Sequence, residues 1–391
     1  MFWVEPCTHS AIEQPQPTAE AEARRALHIC NICGYCNGLC PVFDAAKRRP
    51  QLAAGDLDQL ANLCHHCRSC FYACQYAPPH PFALNLPQAL ARSRSDSYLN
   101  YAWPAPFARL FANPHRAALL ASLLTTLPLL ALVLISVPIE QLWAVHQGPG
   151  AFYLVLPWGW MVLLASLTLG WSLLALGIGL HRFWRASAPA SQPQLHPGLQ
   201  SPGFTALTTA LSEALALHHL SGGGPGCADR DDRPSRWRRR WHQALIFGVL
   251  LSLAATLAAT FYHHLLGRLA PYPFWSAPVL LGTLGGWLML VGVMGLGWLG
   301  ARADQQPNAP ETQGANQALL WLLGAVALSG LLLLLWRETA AMPLLLILHL
   351  GLVLVLFLLL PYSKLVHGPY RLAALWRDAQ ERPAQAGKQC G

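Results

Sequence analysis

Long apolar runs separated by short polar breaks dominate the chain beyond residue 104. Six such runs cover about 117–137, 152–180, 243–266, 276–300, 318–336 and 343–362. Each approaches the ~20 residues that a membrane-spanning helix needs. Short connections within pairs of runs suit antiparallel neighbours in a bundle. The connection 181–242 is different, being long, polar, Gly-rich and Arg-rich. Upstream, no run is long enough to span. Residues 1–27 are acidic and Pro-containing and read as a mobile lead-in, while 28–103 carry clustered cysteines. Asp44 to Leu63 reads as a helix with Leu52, Leu57, Leu60 and Leu63 available for one buried face. Prolines 78, 79, 81, 104 and 106 then mark a boundary. The pattern therefore predicts an all-α chain: an N-terminal α-helical domain over 28–103, spans one and two within 104–180, and a loop over 181–242. Spans three to six follow within 243–376, then a tail over 377–391.

Composition sharpens this picture. Of 391 residues, 54% are hydrophobic and 11% charged, against roughly 25% charged in soluble domains. The formal charge of +8 does not indicate nucleic acid, because the cations form no face interleaved with aromatics. They flank the apolar runs instead. With the cysteine region in the cytoplasm, the internal flanks hold Arg109, Arg116, Arg182, Arg185, Arg230, Arg233, Arg236, Arg238, Arg239, Arg240, Arg302, Lys364, Arg371 and Arg377. The external connections hold only Arg268 and Arg337. The positive-inside rule then places the cysteine domain and both termini in the cytoplasm, on the inner side of a bacterial-type inner membrane. Glu5 and the lack of an early apolar run argue against a secretory signal.

Eight cysteines form two groups. The first is Cys30, Cys33, Cys36 and Cys40, followed by Pro41; the second is Cys64, Cys67, Cys70 and Cys74. Both have the C-x2-C-x2-C-x3-C spacing of bacterial ferredoxins, in which the fourth Cys ligates the other cluster. Two 4Fe–4S clusters are predicted: one on Cys30, Cys33, Cys36 and Cys74, the other on Cys64, Cys67, Cys70 and Cys40. Structural zinc sites join separated Cys pairs and fit this spacing poorly. Gln75, rather than Pro, follows Cys74, which leaves the outer end of the second group less regular. His65 and His66 read as loop residues that tune potential through hydrogen bonds. Cys7, Cys227 and Cys390 read as unpaired thiols, and His146, His196, His218 and His219 as surface residues.

Ionisable residues in spans are costly and point to function. His349 and His367 are 18 residues apart, which on one helix is five turns, the same face and about 27 Å along the axis. Pro361 lies between them and is a possible kink. The third run carries His242 at its inner end and His263 and His264 near its outer end. On antiparallel third and sixth helices, His242 would lie level with His367, and His263 or His264 with His349. Histidines matched in depth on facing helices can ligate b-type haem, so one or two haems are expected. His263 and His264 are offset from His242 by about −60° and +40°, so both stay candidates.

Ser221-Gly-Gly-Gly-Pro-Gly-Cys227 matches neither phosphate-loop nor dinucleotide patterns and reads as a turn or docking surface. With the paired ferredoxin motifs, Tyr262-His263-His264-Leu265-Leu266-Gly267 and Pro361-Tyr362-Ser363-Lys364-Leu365-Val366-His367-Gly368, it resembles the tricarballylate/citrate utilisation protein B family. The resemblance runs from about His28 to Trp376. It implies an α-helical ferredoxin domain joined to a membrane part similar to the respiratory nitrate reductase gamma subunit, where one late helix carries two haem ligands. It also implies reoxidation of the reduced FAD of a soluble tricarballylate dehydrogenase, with electrons passing to membrane quinone. No flavin fingerprint or substrate site is visible in this chain. The competing readings are a quinol-oxidising carrier like heterodisulfide reductases, a membrane redox sensor using the 181–242 loop, and a transporter.

Overall fold

A computed structural model of the protein describes residues 17–189, 203–221 and 226–382. Cys7, His196, Cys390 and Gly222 to Pro225 lie outside the described residues. The fold is all-α apart from one two-residue hairpin, Cys227–Ala228 (β1) with Pro234–Ser235 (β2).

The cysteine domain is built from α1 (Ala19–Cys33), α2 (Pro41–Arg48), α3 (Ala54–Leu63), α4 (Ser69–Tyr72) and α5 (Leu86–Tyr101). Residues 19–27, expected to be a lead-in, are the first turns of α1. Thr18 caps the helix by accepting from the Ala21 amide at 3.2 Å, and Ala23, Ala26 and Leu27 are buried. The helix expected over Asp44–Leu63 is two helices, because Pro50 and Leu52, with φ 47°, interrupt the backbone between α2 and α3. Leu52, Leu57, Leu60 and Leu63 all face the core, joined there by Leu27, Phe43 and Leu90.

α6 (Ala105–Leu110) leads into the first span, α7 (Pro114–Ser136). Two short helices, α8 (Ile139–Leu142) and α9 (Ala151–Val155), precede α10 (Trp158–Ala186); Pro157 separates α9 from the run it was expected to share. α11 (Gly203–Ala216) forms within the connection expected to be a loop. Then come α12 (Trp237–His264), α13 (Ala277–Arg302), α14 (Gln313–Trp336), α15 (Met342–Leu359) and α16 (His367–Glu381). Among the described residues, six helices are long and apolar enough to cross a membrane: α7, α10, α12, α13, α14 with its preceding turn, and α15. Their outer faces carry exposed residues at helical spacing, such as Leu119, Leu123, Leu127, Leu130 and Leu134 on α7. Such a surface is stable against lipid and not against water.

α12 and α13 form the tightest pair. A Cβ at Gly248 would lie 2.6 Å from the Met289 amide nitrogen and 2.8 Å from the Gly285 carbonyl, so glycine is what lets these backbones touch. α15 packs instead against α7, α14 and α10. The expected facing of the third and sixth spans is thus replaced by a third span paired with its chain neighbour.

The cysteine domain sits at one end of the bundle and shares its core with the C-terminal helix. Tyr370, Ala374 and Leu375 of α16 and Phe183 of α10 are buried in it. Buried Arg49 binds Asp56 at 2.8 Å, donates to the Ser187 carbonyl at 3.0 Å and pairs with Glu381. Glu213 of α11 meets Arg382 at 2.7 Å and His219 at 2.8 Å. Burial alone would raise this carboxyl, but the His219 and Arg382 hydrogen bonds hold it down to about 2. A depressed carboxylate stabilises the fold above its unfolded value of about 4.3, and that contribution is lost as pH falls toward 2. Thermal melts should therefore show stability falling between pH 5 and pH 2, and Glu213→Gln should flatten that fall by about 2 kcal/mol. An unchanged slope would remove Glu213 from the account.

Candidate redox site

The two cysteine loops line two separate cavities. Cys30, Cys33, Cys36 and Cys74 border one of about 320 Å³. Cys40, Cys64, Cys67 and Cys70 border the other, of about 480 Å³. Each fourth cysteine crosses to the other loop because of where its helix goes. Cys40 is the residue before α2, with Pro41 opening that helix, while Cys74 follows the single turn of α4. Among the described residues, no group of three Cys, His, Asp or Glu side chains is drawn together to hold a single metal ion. Burial pushes the Cys30 thiol up to about 12, with Cys36, Cys74 and Cys33 adding to the effect. Burial likewise raises Cys40 and Cys70. Thiols buried and crowded in this way give up their protons on binding cationic metal, and four cysteines at each cavity fit an iron–sulphur cluster.

The cavities differ in their surroundings. Cys33 is exposed, beside Ile32 and Tyr35, which are 76% and 74% exposed. The second loop is enclosed. Its His66 and Arg68 adopt φ of 54° and 67°, a left-handed conformation uncommon outside glycine. His65 is buried, with Nδ1 2.9 Å from the Leu63 carbonyl. His66 Nε2 lies 3.2 Å from Asn308 Oδ1. His219, read as surface, lines this cavity with its ring 5.3 Å from that of His65. Cys227 is buried, its thiol donating to the Leu220 carbonyl at 2.8 Å, and the next amide, Ala228, donates to the Cys67 carbonyl at 3.0 Å. The Gly-rich connection therefore ends on the second cysteine loop.

Four arginines complete the enclosure, two of which, Arg238 and Arg371, the sequence marked only as flank charges. Arg94 donates to the Cys64 carbonyl at 2.7 Å, and Arg371 donates to the same carbonyl at 2.8 Å. Arg238 donates to the His66 carbonyl at 2.7 Å. Arg68 donates to the Asp229 carbonyl at 2.8 Å and to Asn308 Oδ1 at 2.7 Å. No short-range motif marks these positions; a cation in a predicted buried face is the only signal available.

The histidines divide. α15 ends at Leu359 and a turn separates it from α16, so His349 and His367 occupy different helices and the five-turn argument does not apply. Pro361 falls in that break, which ends the helix rather than kinking it. His242 and His367 nevertheless meet, their ring centres 6.0 Å apart and planes at 78°. His367 Nδ1 lies 2.6 Å from the Lys364 carbonyl, which makes Nδ1 the donor and leaves Nε2 outside that bond. Burial, then Arg371, keeps His367 well below the usual imidazole range and therefore neutral. His242 Nδ1 is buried without a partner. The pair offers two neighbouring imidazoles, one with an orphaned buried nitrogen, which is the donor type that haem iron takes.

His349 sits within α15, Nδ1 3.0 Å from Ser329 Oγ. Gly330 makes room for it, since a Cβ there would lie 2.9 Å from His349 Cε1. His263 instead stacks on Trp158, 5.0 Å away at 6°, with Tyr153 Oη 3.2 Å from its Nδ1. His264 meets the edge of the same Trp158.

Comparison with known proteins now decides the family. Residues 23–100 match the Citrate utilization protein B Fer4-like domain, and residues 112–388 match Citrate utilization protein B. The chain belongs to the citrate utilization protein B family. It is 39% identical over 376 residues to Citrate utilization protein B of Escherichia coli, covering 95% of this chain and 94% of that one. No solved structure matches. Within this family chain, the Fer4-like match spans both cysteine cavities. The second match takes in every long apolar helix and both members of the His242–His367 pair.

Proposed function

We propose that this protein is a membrane electron carrier that reoxidises the FADH2 of a soluble tricarballylate, or related tricarboxylic acid, dehydrogenase and delivers electrons to membrane quinone. The observation that carries the reading is the sequence of sites. An exposed cysteine cavity adjoins an enclosed one, whose loop is tied by Arg238 and Arg371 to the helices bearing His242 and His367. Two 4Fe–4S clusters and haem b would supply one-electron chemistry at these positions. The chain's own residues hold them: the two crossed cysteine sets, and His242 with His367. The exposed rim at Cys33 suits exchange with a soluble donor. The Arg-rich end of the bundle, beside the cysteine domain, faces the cytoplasm on the inner membrane, while Arg268 and Arg337 lie at the other end. Substrate chemistry belongs to the partner, since electron transfer is what these side chains support.

The test is an anaerobic dithionite-reduced minus oxidised optical spectrum of the detergent-purified protein. A broad iron–sulphur bleach overlaid by sharp b-type haem bands is expected. Quinone added to the reduced protein should then reverse both. A bleach without haem bands removes the haem path, and no bleach removes the carrier reading altogether.

A further inference from the structure

Two helices, α12 and α16, reach the second cysteine loop in the same way. On α12, Arg238 and His242 are four residues apart, and on α16 so are His367 and Arg371. Each arginine therefore shares a helix face with its histidine, one turn away. At one end of this double arm the histidine rings lie 6.0 Å apart. At the other, the guanidiniums grip the carbonyls of His66 and Cys64 at 2.7 Å and 2.8 Å.

We propose that Arg238 and Arg371 are positioning residues that fasten the second cysteine loop to the helices carrying the histidine pair and keep the reduction potential of the second cluster above that of the first. This rests on the carrier reading given above. The charge balance explains the difference in potential. Arg238 pairs with Asp229, but neither Arg94 nor Arg371 meets a carboxylate among the described residues. Guanidiniums inside a protein without an acidic partner are costly unless an anion lies nearby. The four thiolates of Cys40, Cys64, Cys67 and Cys70 with their iron are that anion. Around the first set, no arginine or lysine hydrogen-bonds to Cys30–Cys36 or Cys74 among the described residues. Among the described residues, its sulphurs receive a side-chain hydrogen bond only from Gln75 Nε2, on Cys33 at 3.9 Å.

One electron lost at the first set is gained at the second, and no proton moves. The gain adds one negative charge beside the guanidiniums, in surroundings where Coulomb attraction is weakly screened. Electrons are thus drawn from the exposed edge toward His242 and His367.

The experiment is an EPR-monitored redox titration of the full-length, cluster-loaded protein and its Arg371→Gln, Arg371→Lys and Arg238→Gln variants. Cys74→Ala, which retains only the second cluster, identifies that cluster's signal. Arg371→Gln should make reduction of the second cluster about tenfold less favourable, about 59 mV for a one-electron couple, with the first unmoved. Arg371→Lys should restore most of that shift. If Arg371→Gln does not fold, Arg238→Gln carries the same expectation. Unchanged second-cluster potentials, or equal shifts in both clusters, overturn the proposal. Absence of two cluster signals in the parent protein would instead count against the carrier reading.

Discussion

Cys74→Ala is expected to bind about half the iron of the parent protein, and the cluster it loses is the first, not the second. Cys74 stands in the second cysteine motif, yet it borders the cavity of Cys30, Cys33 and Cys36. Removing its thiolate leaves that cavity three ligands and an exposed edge at Cys33. Cys40→Ala is the mirror experiment. It removes a ligand from the enclosed cavity of Cys64, Cys67 and Cys70, and it should be the more damaging change. With the second cluster gone, Arg94 and Arg371 would face each other inside the protein without their anion, a situation that costs several kcal/mol in other proteins. Iron and sulphide analysis with EPR would check both variants. Loss of the second cluster in Cys74→Ala would mean that each motif binds its own cluster and would refute the crossed assignment.

The second large effect is expected at the histidine pair. His367→Ala and His242→Ala should each abolish the reduced b-type haem bands while leaving the iron–sulphur bleach in place. Loss of a ligand should exceed the roughly 10–100-fold effect of losing a partner behind one. Quinone-dependent reoxidation should fall in parallel. His263→Ala serves as the contrast: its ring is stacked on Trp158, so haem content should stay at the parent level. A protein in which His349 binds a second haem would lose about half its haem in His349→Ala. Pyridine haemochrome analysis separates these outcomes. Retention of full haem in both His367→Ala and His242→Ala would sink the assignment of this pair.

Much of this architecture follows from short-range patterns. Hydrophobic run length marked the six long apolar helices, because the thickness of a hydrocarbon core acts on contiguous residues. Helix ends were less legible. Pro157 and Pro361 each removed residues from a predicted span, since a backbone without its amide donor favours a break wherever tertiary packing offers one. The amphipathic character of α11 was hidden by the polar, Gly-rich stretches on either side. The stretch 304–308 gave no signal of its role at all. Asp304 accepts from Tyr72 Oη at 2.6 Å, and Asn308 supports both Arg68 and His66.

By itself, then, the sequence determined the helical class, the family and the cysteine motifs, because ligand spacing within a loop and apolar length within a helix are local properties. Only the tertiary structure decided that His367 stands on a separate helix and still meets His242, and that Arg94, Arg238 and Arg371 converge on Cys64 and His66. Those contacts join positions as much as 307 residues apart. Nothing periodic links such positions; they meet because α16 folds back into the cysteine domain's core and because close glycine packing holds α12 against α13.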